Sequence, residues 1–311
     1  MTITEPSVCY YLGPSGTFTE AAARQMVPSA LSFEPEKDIP AVLAGVEANS
    51  GSVGVVPVEN SVHGEVTTTL DLLAFGDHSL VVVGETSVPV TFVAYATNRG
   101  AKDQNYTSAL SHPHALAQCA QFVNARALSK VETNSTADAC RIVAQDALDE
   151  ALAIAAPGAG EQFGLTAVAH EIEDNSGAST RFFALAQSPG RPGTNNRTML
   201  MMVPRENRPG ALLGSLKAFS ERNLNISSLY ARPLRSELGT YGFLITVDAH
   251  LSDPTLRSAL HEILIGGNSL RIIGSFPSDS NLRPQAPFRS IVGLVERETD
   301  LAEAIQGFIS E

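Results

Sequence analysis

The stretch Val8-Cys9-Tyr10-Tyr11-Leu12-Gly13-Pro14-Ser15-Gly16-Thr17-Phe18 passes from an apolar run through a turn into a helical pattern. Such a run is typical of a buried strand, Gly13 and Pro14 mark the turn, and Thr17 is a residue type that caps helices. Two other segments repeat the design, Ser111-His112-Pro113-His114 and Asn134-Ser135-Thr136. The repetition predicts an α/β fold whose helix N-termini point at one common binding site, where backbone N–H groups bind anions. Simple helix capping explains each segment taken alone.

The alternation of apolar runs and helical patterns continues through residue 187. We expect strands at residues 8–12, 53–58, 80–83, 91–95, 109–111, 152–155 and 182–186, and helices at 18–27, 115–123 and 137–147. A stretch rich in Pro, Gly and Asn, residues 188–196, then separates this part from a second unit. Residues 7–188 are therefore predicted to form the first domain.

Residues 197–277 follow a different order of elements, strand, helix, strand, strand, helix, strand. This βαββαβ order is ferredoxin-like, and Pro209 precedes an apolar stripe at helical spacing, Leu212, Leu216 and Phe219. Residues 278–311 are predicted to be a linker and a C-terminal amphipathic helix around Leu301 and Phe308 that docks on another surface.

The net charge of −12 argues against nucleic acid or an anionic membrane as a partner, because both attract cationic surfaces. Cys9, Cys119 and Cys140 are widely spaced and fit reduced, buried thiols in a cytoplasmic protein. No apolar run reaches membrane-spanning length. A small-molecule ligand remains the expected partner.

Polar residues follow the predicted strand at 53–58, where Glu59, Asn60 and Ser61 come directly after Pro57 and Val58. Open α/β sheets bind ligands at the carboxyl ends of their strands. A carboxyl group beside apolar side chains can stay protonated and act as an acid, which makes Glu59 a candidate. A turn without function would explain Asn60 and Ser61 equally well.

Two alternative ligands are less consistent with the sequence. The loop at Gly13 to Thr17 has no Lys before its hydroxyl residue, so it is not a nucleotide-binding P-loop. His112 and His114 are two residues apart and resemble metal ligands, but Pro113 lies between them and no third ligand is evident. We therefore expect neither a nucleoside triphosphate at this loop nor a metal ion at this His pair.

The segment Ser179-Thr180-Arg181-Phe182-Phe183 places a hydroxyl, a cation and aromatic rings at the start of a predicted strand. Side chains alternate along a strand, so Thr180 and Phe182 should share one face, and Arg181 and Phe183 the other. Arg181 would reach the same pocket as Thr180 only if the chain bends there. An ordinary strand with a surface ion pair is the alternative.

These motifs together carry a resemblance to a known family. The chain resembles bacterial prephenate dehydratases in which a catalytic domain is fused to a C-terminal ACT domain. The resemblance spans residues 8–277 and rests on residues 11–19, on Pro57-Val58-Glu59-Asn60-Ser61 with Gly64 and 71–73, on Ser111-His112-Pro113 with 115–119, and on Thr180-Arg181-Phe182.

The resemblance implies a catalytic domain similar to a type II periplasmic binding protein, with two lobes and the active site in the cleft between them. It implies conversion of prephenate to phenylpyruvate, water and carbon dioxide without a cofactor, in phenylalanine biosynthesis. The implied catalytic residues are Thr180, Arg181, Glu59, Asn60 and His112, with Thr180 as the essential one. The implied substrate-binding residues are Ser15, Thr17, Ser61, Ser111, His114, Ser135, Thr136 and Phe182.

The second unit is similar to an ACT domain, a regulatory module that pairs in dimers and binds phenylalanine at the interface. A homodimer or homotetramer is expected on this ground. The implied effector residues are Gly210, Ala211, Leu212, Leu224, Asn225, Leu229, Tyr230, Arg232 and Pro233. The family's Glu-Ser-Arg-Pro element is Tyr230-Ala231-Arg232-Pro233 here, so two polar side chains are missing.

Two other functions are compatible with these motifs. Arogenate dehydratases share the fold and act on the amino-acid form of the substrate, and the sequence separates the two poorly. A non-catalytic amino-acid sensor is the alternative of a different class, because lobed domains and ACT domains both bind ligands.

Overall fold

The computed structural model describes residues 6–190, 192–234 and 239–279. The predicted tail helix lies outside these described residues. None of the described helices is both long and apolar enough to cross a membrane.

The first lobe is a sheet with helices on both faces. Its elements are β1 (Val8–Leu12), α1 (Phe18–Met26), β2 (Ser32–Glu36), α2 (Ile39–Ala48), β3 (Val53–Asn60), β4 (Gly64–Glu65), α3 (Thr67–Phe75), β5 (Val81–Pro89) and β11 (Ser179–Ala186). The strand order is β2-β1-β3-β11-β5, and β11 runs antiparallel to both of its neighbours. Helix α1 packs on one face, while α2 and α3 pack on the other.

The second lobe repeats this arrangement. Its elements are β6 (Val93–Ala96), α4 (Gly100–Asp103), β7 (Ser108–Ser111), α5 (Pro113–Gln118), α6 (Ala120–Ala125), β8 (Ser129–Glu132), α7 (Thr136–Gln145), β9 (Ala151–Ala155), a 3₁₀ turn (Glu161–Phe163) and β10 (Thr166–Ala169). The strand order is β8-β7-β9-β6-β10. In each lobe the strand that arrives from the other lobe is inserted antiparallel, β11 in the first and β6 in the second. The predicted two-lobed α/β fold is confirmed.

The third part has the predicted βαββαβ order. Its elements are β12 (Asn196–Val203), α8 (Ala211–Ser220), β13 (Ile226–Pro233), β14 (Tyr241–Val247), α9 (Pro254–Ile265) and β15 (Ser269–Pro277). All strand pairs in the order β13-β14-β12-β15 are antiparallel, as in ferredoxin-like sheets.

This ferredoxin-like unit joins the first lobe at strand β5. Gly274 of β15 pairs with Val82, and a Cβ at Gly274 would lie 2.3 Å from the Val82 carbonyl oxygen, so only glycine allows the approach. Phe183 of the first lobe packs against Phe276, with ring centroids 5.4 Å apart. Met199, Met201 and Leu244 belong to the same core. One hydrophobic core therefore crosses the predicted domain boundary.

The three cysteines are free and buried, as predicted. Burial raises the pKa of Cys9 and Cys140 to about 12 and raises the pKa of Cys119 as well. These thiols therefore remain protonated and unreactive at neutral pH.

Candidate active site

Thr180 and Asn60 lie side by side where β11 pairs with β3. The Asn60 Nδ2 donates a hydrogen bond of 2.9 Å to the Thr180 Oγ1. The Asn60 Oδ1 accepts from the backbone N–H groups of Val62 and His63, at 2.9 and 3.0 Å. Backbone N–H groups can only donate, so these two bonds fix the orientation of the amide. The Thr180 oxygen accepts from Asn60, and its own proton is left to donate elsewhere.

The turn after Asn60 reaches the second lobe through His63. The His63 ring stacks on the His114 ring of α5, with centroids 4.5 Å apart and planes at 24°. The Gln118 Nε2 lies 3.0 Å from the His63 Nε2. His112 meets His114 edge to face at 5.0 Å. Three imidazoles and an amide thus join the lobes next to Thr180.

A second contact between the lobes lies at the loop before α1. A Cβ on Gly16, whose φ is +83°, would lie 3.3 Å from the Ala159 Cβ and 3.5 Å from the Ala137 Cβ. Ala137 is in the first turn of α7, so the N-termini of α1 and α7 meet here. Two of the three predicted helix N-termini therefore converge.

Four predicted substrate-binding hydroxyls have partners within the chain. Thr17 and Ser135 cap α1 and α7 by accepting from Glu20 N and Asp138 N. The Ser15 Oγ lies 2.9 Å from the Tyr11 hydroxyl, and the Ser61 Oγ accepts from Ser179 N. Thr136 begins α7. The hydroxyls of Thr17, Ser135 and Ser15 lie in the two convergent loops. A ligand bound there would share them with their present partners.

Ser111 and Phe182 do not lie where the sequence placed them. Ser111 is fully buried, and its hydroxyl donates to the Ile154 carbonyl oxygen of the neighbouring strand at 2.6 Å. Phe182 is 1% exposed and packs in the core beneath α1. Both residues sit on strands whose interior faces are covered by helices, so their side chains stabilise the lobes and do not line the cleft.

Arg181 and Glu59 face away from Thr180. The Arg181 Nη1 lies 3.4 Å from the Glu59 Oε2, its Nε lies 3.6 Å from the Glu85 Oε2, and its guanidinium lies 5.1 Å from the Phe183 ring centroid. Alternation along β11 and β3 produces this arrangement, because Thr180 and Asn60 occupy the opposite face. Arg181 therefore points away from Thr180 in this structure. Its pairing register with β3 does shift, but only after Arg181.

The His112 ring is oriented by the backbone, and its pKa is lowered. Burial lowers the pKa of His112, His114 lowers it further, and Glu132 acts in the opposite direction. The His112 Nδ1 accepts from the His114 backbone N–H at 3.3 Å, which places the proton of the neutral ring on Nε2. No group of three or more His, Cys, Asp or Glu side chains within the described ranges is arranged to hold a metal ion.

Comparison with known proteins agrees with this geometry. Residues 9–190 match the family model of prephenate dehydratase. The prephenate dehydratase of Mycobacterium tuberculosis is 36% identical over 292 residues, which cover 89% of each chain. The chain belongs to the prephenate dehydratase family.

Solved structures show how far the likeness extends. A prephenate dehydratase from Arthrobacter aurescens in complex with L-Phe superimposes with a TM-score of 0.78 at 31% identity, covering 97% of this chain and 98% of that one. GqqA, described as a quorum quenching acylase, gives the same TM-score of 0.78 at 25% identity, covering 89% of this chain and all of that one. The shared fold therefore includes members with different chemistry.

The ACT-like residues predicted to bind an effector divide into two groups in a single chain. Gly210 and Ala211 line a groove of about 420 Å³ between α8 and α9. Tyr230 and Arg232 instead face the catalytic lobe, where Arg232 pairs with Asp71 at 2.6 Å and burial raises the pKa of Tyr230 to about 12, with Glu59 adding to the shift. Leu229 is exposed, and Pro233 ends β13.

The remaining predicted effector residues have structural partners. Leu212 and Leu224 pack on the core of the ACT-like unit. The Asn225 Nδ2 donates to the Asp248 Oδ2 at 2.6 Å. These contacts leave the two groups on different surfaces, so one chain alone does not bring all nine residues together.

Three residues that the sequence did not single out join the candidate site or its support. His63 and Gln118 join the lobes, and Glu85 is a fully buried carboxylate between two arginines. The sequence could have indicated Gln118, because it lies one helical turn after His114 on α5 and therefore on the same face of that helix. Nothing in the local sequence indicates the partners of His63 and Glu85, because both contacts are long-range.

Proposed function

We propose that this chain catalyses the decarboxylating dehydration of prephenate to phenylpyruvate, water and carbon dioxide. The observation that carries the proposal is the hydrogen bond that Asn60 donates to the Thr180 hydroxyl in a member of the prephenate dehydratase family. Thr180 donates a hydrogen bond to the ring hydroxyl as it leaves.

Bond changes in this reaction balance without a cofactor. The bond between the ring and its carboxylate breaks, carbon dioxide departs, and the released electron pair completes the aromatic ring. The C–O bond of the ring hydroxyl breaks, and the oxygen leaves as water after taking a proton. General acid help of this kind contributes about two to four powers of ten in rate.

The proton source favoured by the placement is His112. Glu59 pairs with Arg181 on the opposite face of the sheet, whereas His112 lies in the imidazole cluster, where its imidazolium form would give a proton to the leaving oxygen and return to the neutral ring. The side-chain carboxylate of the substrate is proposed to bind at the N-termini of α1 and α7, near Thr17 and Thr136. Helix N-termini stabilise carboxylates through free N–H groups and the helix dipole.

The test is a comparison of substrates with the purified full chain. We expect phenylpyruvate to form from prephenate faster than phenylalanine forms from arogenate. Faster turnover of arogenate would make the chain an arogenate dehydratase. Hydrolysis of an N-acyl amide without action on prephenate would place it beside GqqA, and no turnover at all would favour an amino-acid sensor.

Phenylalanine is the proposed effector, and a homodimer or homotetramer is the proposed assembly. The Arthrobacter aurescens relative was solved with L-Phe. Strand β13 is the outermost strand of its sheet and exposes Leu229, which leaves an edge and an apolar side chain for a second copy. The catalytic part, residues 7–188, the ACT part, residues 197–277, and the tail, 278–311, remain the proposed division of the chain.

A further inference from the structure

We propose that His63 is a positioning residue for the dehydration, because it holds the two lobes together beside Thr180 and does so best while its ring is neutral. The inference rests on the proposed function for its kinetic consequence. Its structural content, closure of the lobes by an imidazole contact, does not depend on the substrate.

His63 links the catalytic hydroxyl to the second lobe through two sets of contacts. Its backbone N–H donates to the same Asn60 amide that donates to Thr180. Its ring stacks on His114 and accepts the Gln118 amide at 3.0 Å. A change in the distance between the lobes therefore pulls on the turn that orients Asn60.

The contact is sensitive to charge because like rings face each other. His114 and His112 of α5 are the titratable groups that face this turn, and Glu132 at the end of β8 acts on His112 with the opposite sign. Two protonated imidazoles in a stack repel, and a protonated His63 Nε2 no longer accepts from Gln118.

The direction of the pH dependence follows from linkage. Burial lowers the pKa of His63 in the joined lobes, and His114 lowers it further. Separated lobes return the ring to its ordinary pKa of about 6.5. The joined form binds fewer protons, so closure is fully favoured above that value and weakens as the pH falls below it.

Three variants of the full chain test the kinetic consequence. His63→Ala removes the contact, His63→Gln keeps a planar amide that can bond to Gln118 but cannot titrate, and Val62→Ala changes an exposed side chain in the same turn. We expect His63→Ala to lower kcat/KM at pH 7.5 about tenfold, mainly through KM, which lies within the usual range for coupling between sites. His63→Gln should stay within about threefold of the unsubstituted chain.

The pH profile separates positioning from a merely structural role. The unsubstituted chain and Val62→Ala should lose kcat/KM between about pH 7 and 5.5, after subtraction of the enzyme-free rate, whereas His63→Gln should lack this limb. An unchanged kcat/KM in His63→Ala relative to Val62→Ala would overturn the proposal. If His63→Gln loses as much kcat/KM at acid pH as the unsubstituted chain, protonation of His63 does not cause the loss.

A distance measurement tests closure even without turnover. The native cysteines are buried, so spin labels attached at Leu31→Cys and Lys130→Cys, one exposed site on each lobe, should react selectively. We expect longer distances at pH 5.5 than at pH 7.5, and no such change in the His63→Gln background. Distances that do not change with pH in the unsubstituted background would refute the closure. If prephenate is not turned over but the distances change as expected, the proposed function is wrong and the closure of the lobes by His63 is supported.

Discussion

Asn60 is the residue whose chemistry the structure defines most completely. Its carbonyl oxygen accepts two backbone N–H groups, so its nitrogen must donate to Thr180. The sequence placed Asn60 at the end of a strand but left it equally explicable as a turn residue. It serves both purposes, since the bonds that make it a turn residue also fix the direction in which it donates.

Asn60→Asp is expected to lower kcat about tenfold to a hundredfold, because a carboxylate would accept the Thr180 proton that the leaving hydroxyl requires. Steady-state kinetics with prephenate measure the effect. A full rate in a folded Asn60→Asp variant would show that the direction of this hydrogen bond is irrelevant.

Gly16 combines a left-handed backbone with close contact between the lobes. We expect Gly16→Ala to raise KM and to lower the free energy of unfolding by about 1–2 kcal/mol, since the new Cβ meets Ala159 and Ala137. Gly51→Ala is the matched control, because Gly51 also has a positive φ, of +80°, but has open space around it. Equal effects of the two variants on KM would mean that the contact between the lobes has no part in binding.

The two faces of strand β11 carry side chains with different partners. Thr180 accepts a hydrogen bond from Asn60 on one face, while Arg181 pairs with Glu59 and Glu85 on the other. The sequence predicted this division through strand alternation and named Thr180 as the firmer of the two. It could not predict Glu85 as a partner of Arg181, because Glu85 lies on a different strand.

Arg181→Met is expected to lower the free energy of unfolding by about 1–3 kcal/mol, because it leaves a buried carboxylate less well paired. Turnover of the folded variant should fall less than in Thr180→Ala. Urea unfolding and prephenate kinetics on the same preparation measure both quantities. A loss of turnover as large as that of Thr180→Ala, with unchanged stability, would return Arg181 to the cleft.

Two edge strands were among the elements that the sequence did not predict. Strand β2, Ser32–Glu36, and strand β8, Ser129–Glu132, lie at the edges of their sheets and contain charged or exposed side chains throughout much of their length. An edge strand needs little apolar surface, so the alternation that identifies buried strands is weak there. The bounds predicted for the buried strands β1, β7 and β9 lie within two residues of those in the structure.

At the scale of the whole molecule, a chain of charged groups joins the ACT-like unit to the catalytic strand. Asn225 donates to Asp248, which pairs with Arg197, and Arg197 lies 2.8 Å from the Glu85 Oε1. The Glu85 Oε2 is 3.6 Å from the Arg181 Nε, and neither atom has a hydrogen-bond partner within the described part of the chain. A buried carboxylate shared unequally between two arginines can shift toward either.

Glu85→Gln is expected to weaken the effect of phenylalanine on turnover at least about fivefold, while phenylalanine still raises the midpoint of thermal unfolding. Glu221→Gln, which breaks an exposed ion pair with Lys217 on α8, serves as the control. If phenylalanine inhibits Glu85→Gln as strongly as the unsubstituted chain, Glu85 does not couple the ACT-like unit to the catalytic strand. A chain whose activity and unfolding are both insensitive to phenylalanine would refute phenylalanine as the effector.

The most direct test of the whole account is the turnover of prephenate by Thr180→Ala, with Thr180→Ser as the variant that keeps the hydroxyl. We expect Thr180→Ala to lose at least about a hundredfold in kcat, within the range for general acid help, while its unfolding curve stays close to that of the unsubstituted chain. Thr180→Ser should keep most of the rate. A folded Thr180→Ala variant with near-unchanged kcat would contradict the assignment of Thr180 to the departure of the hydroxyl.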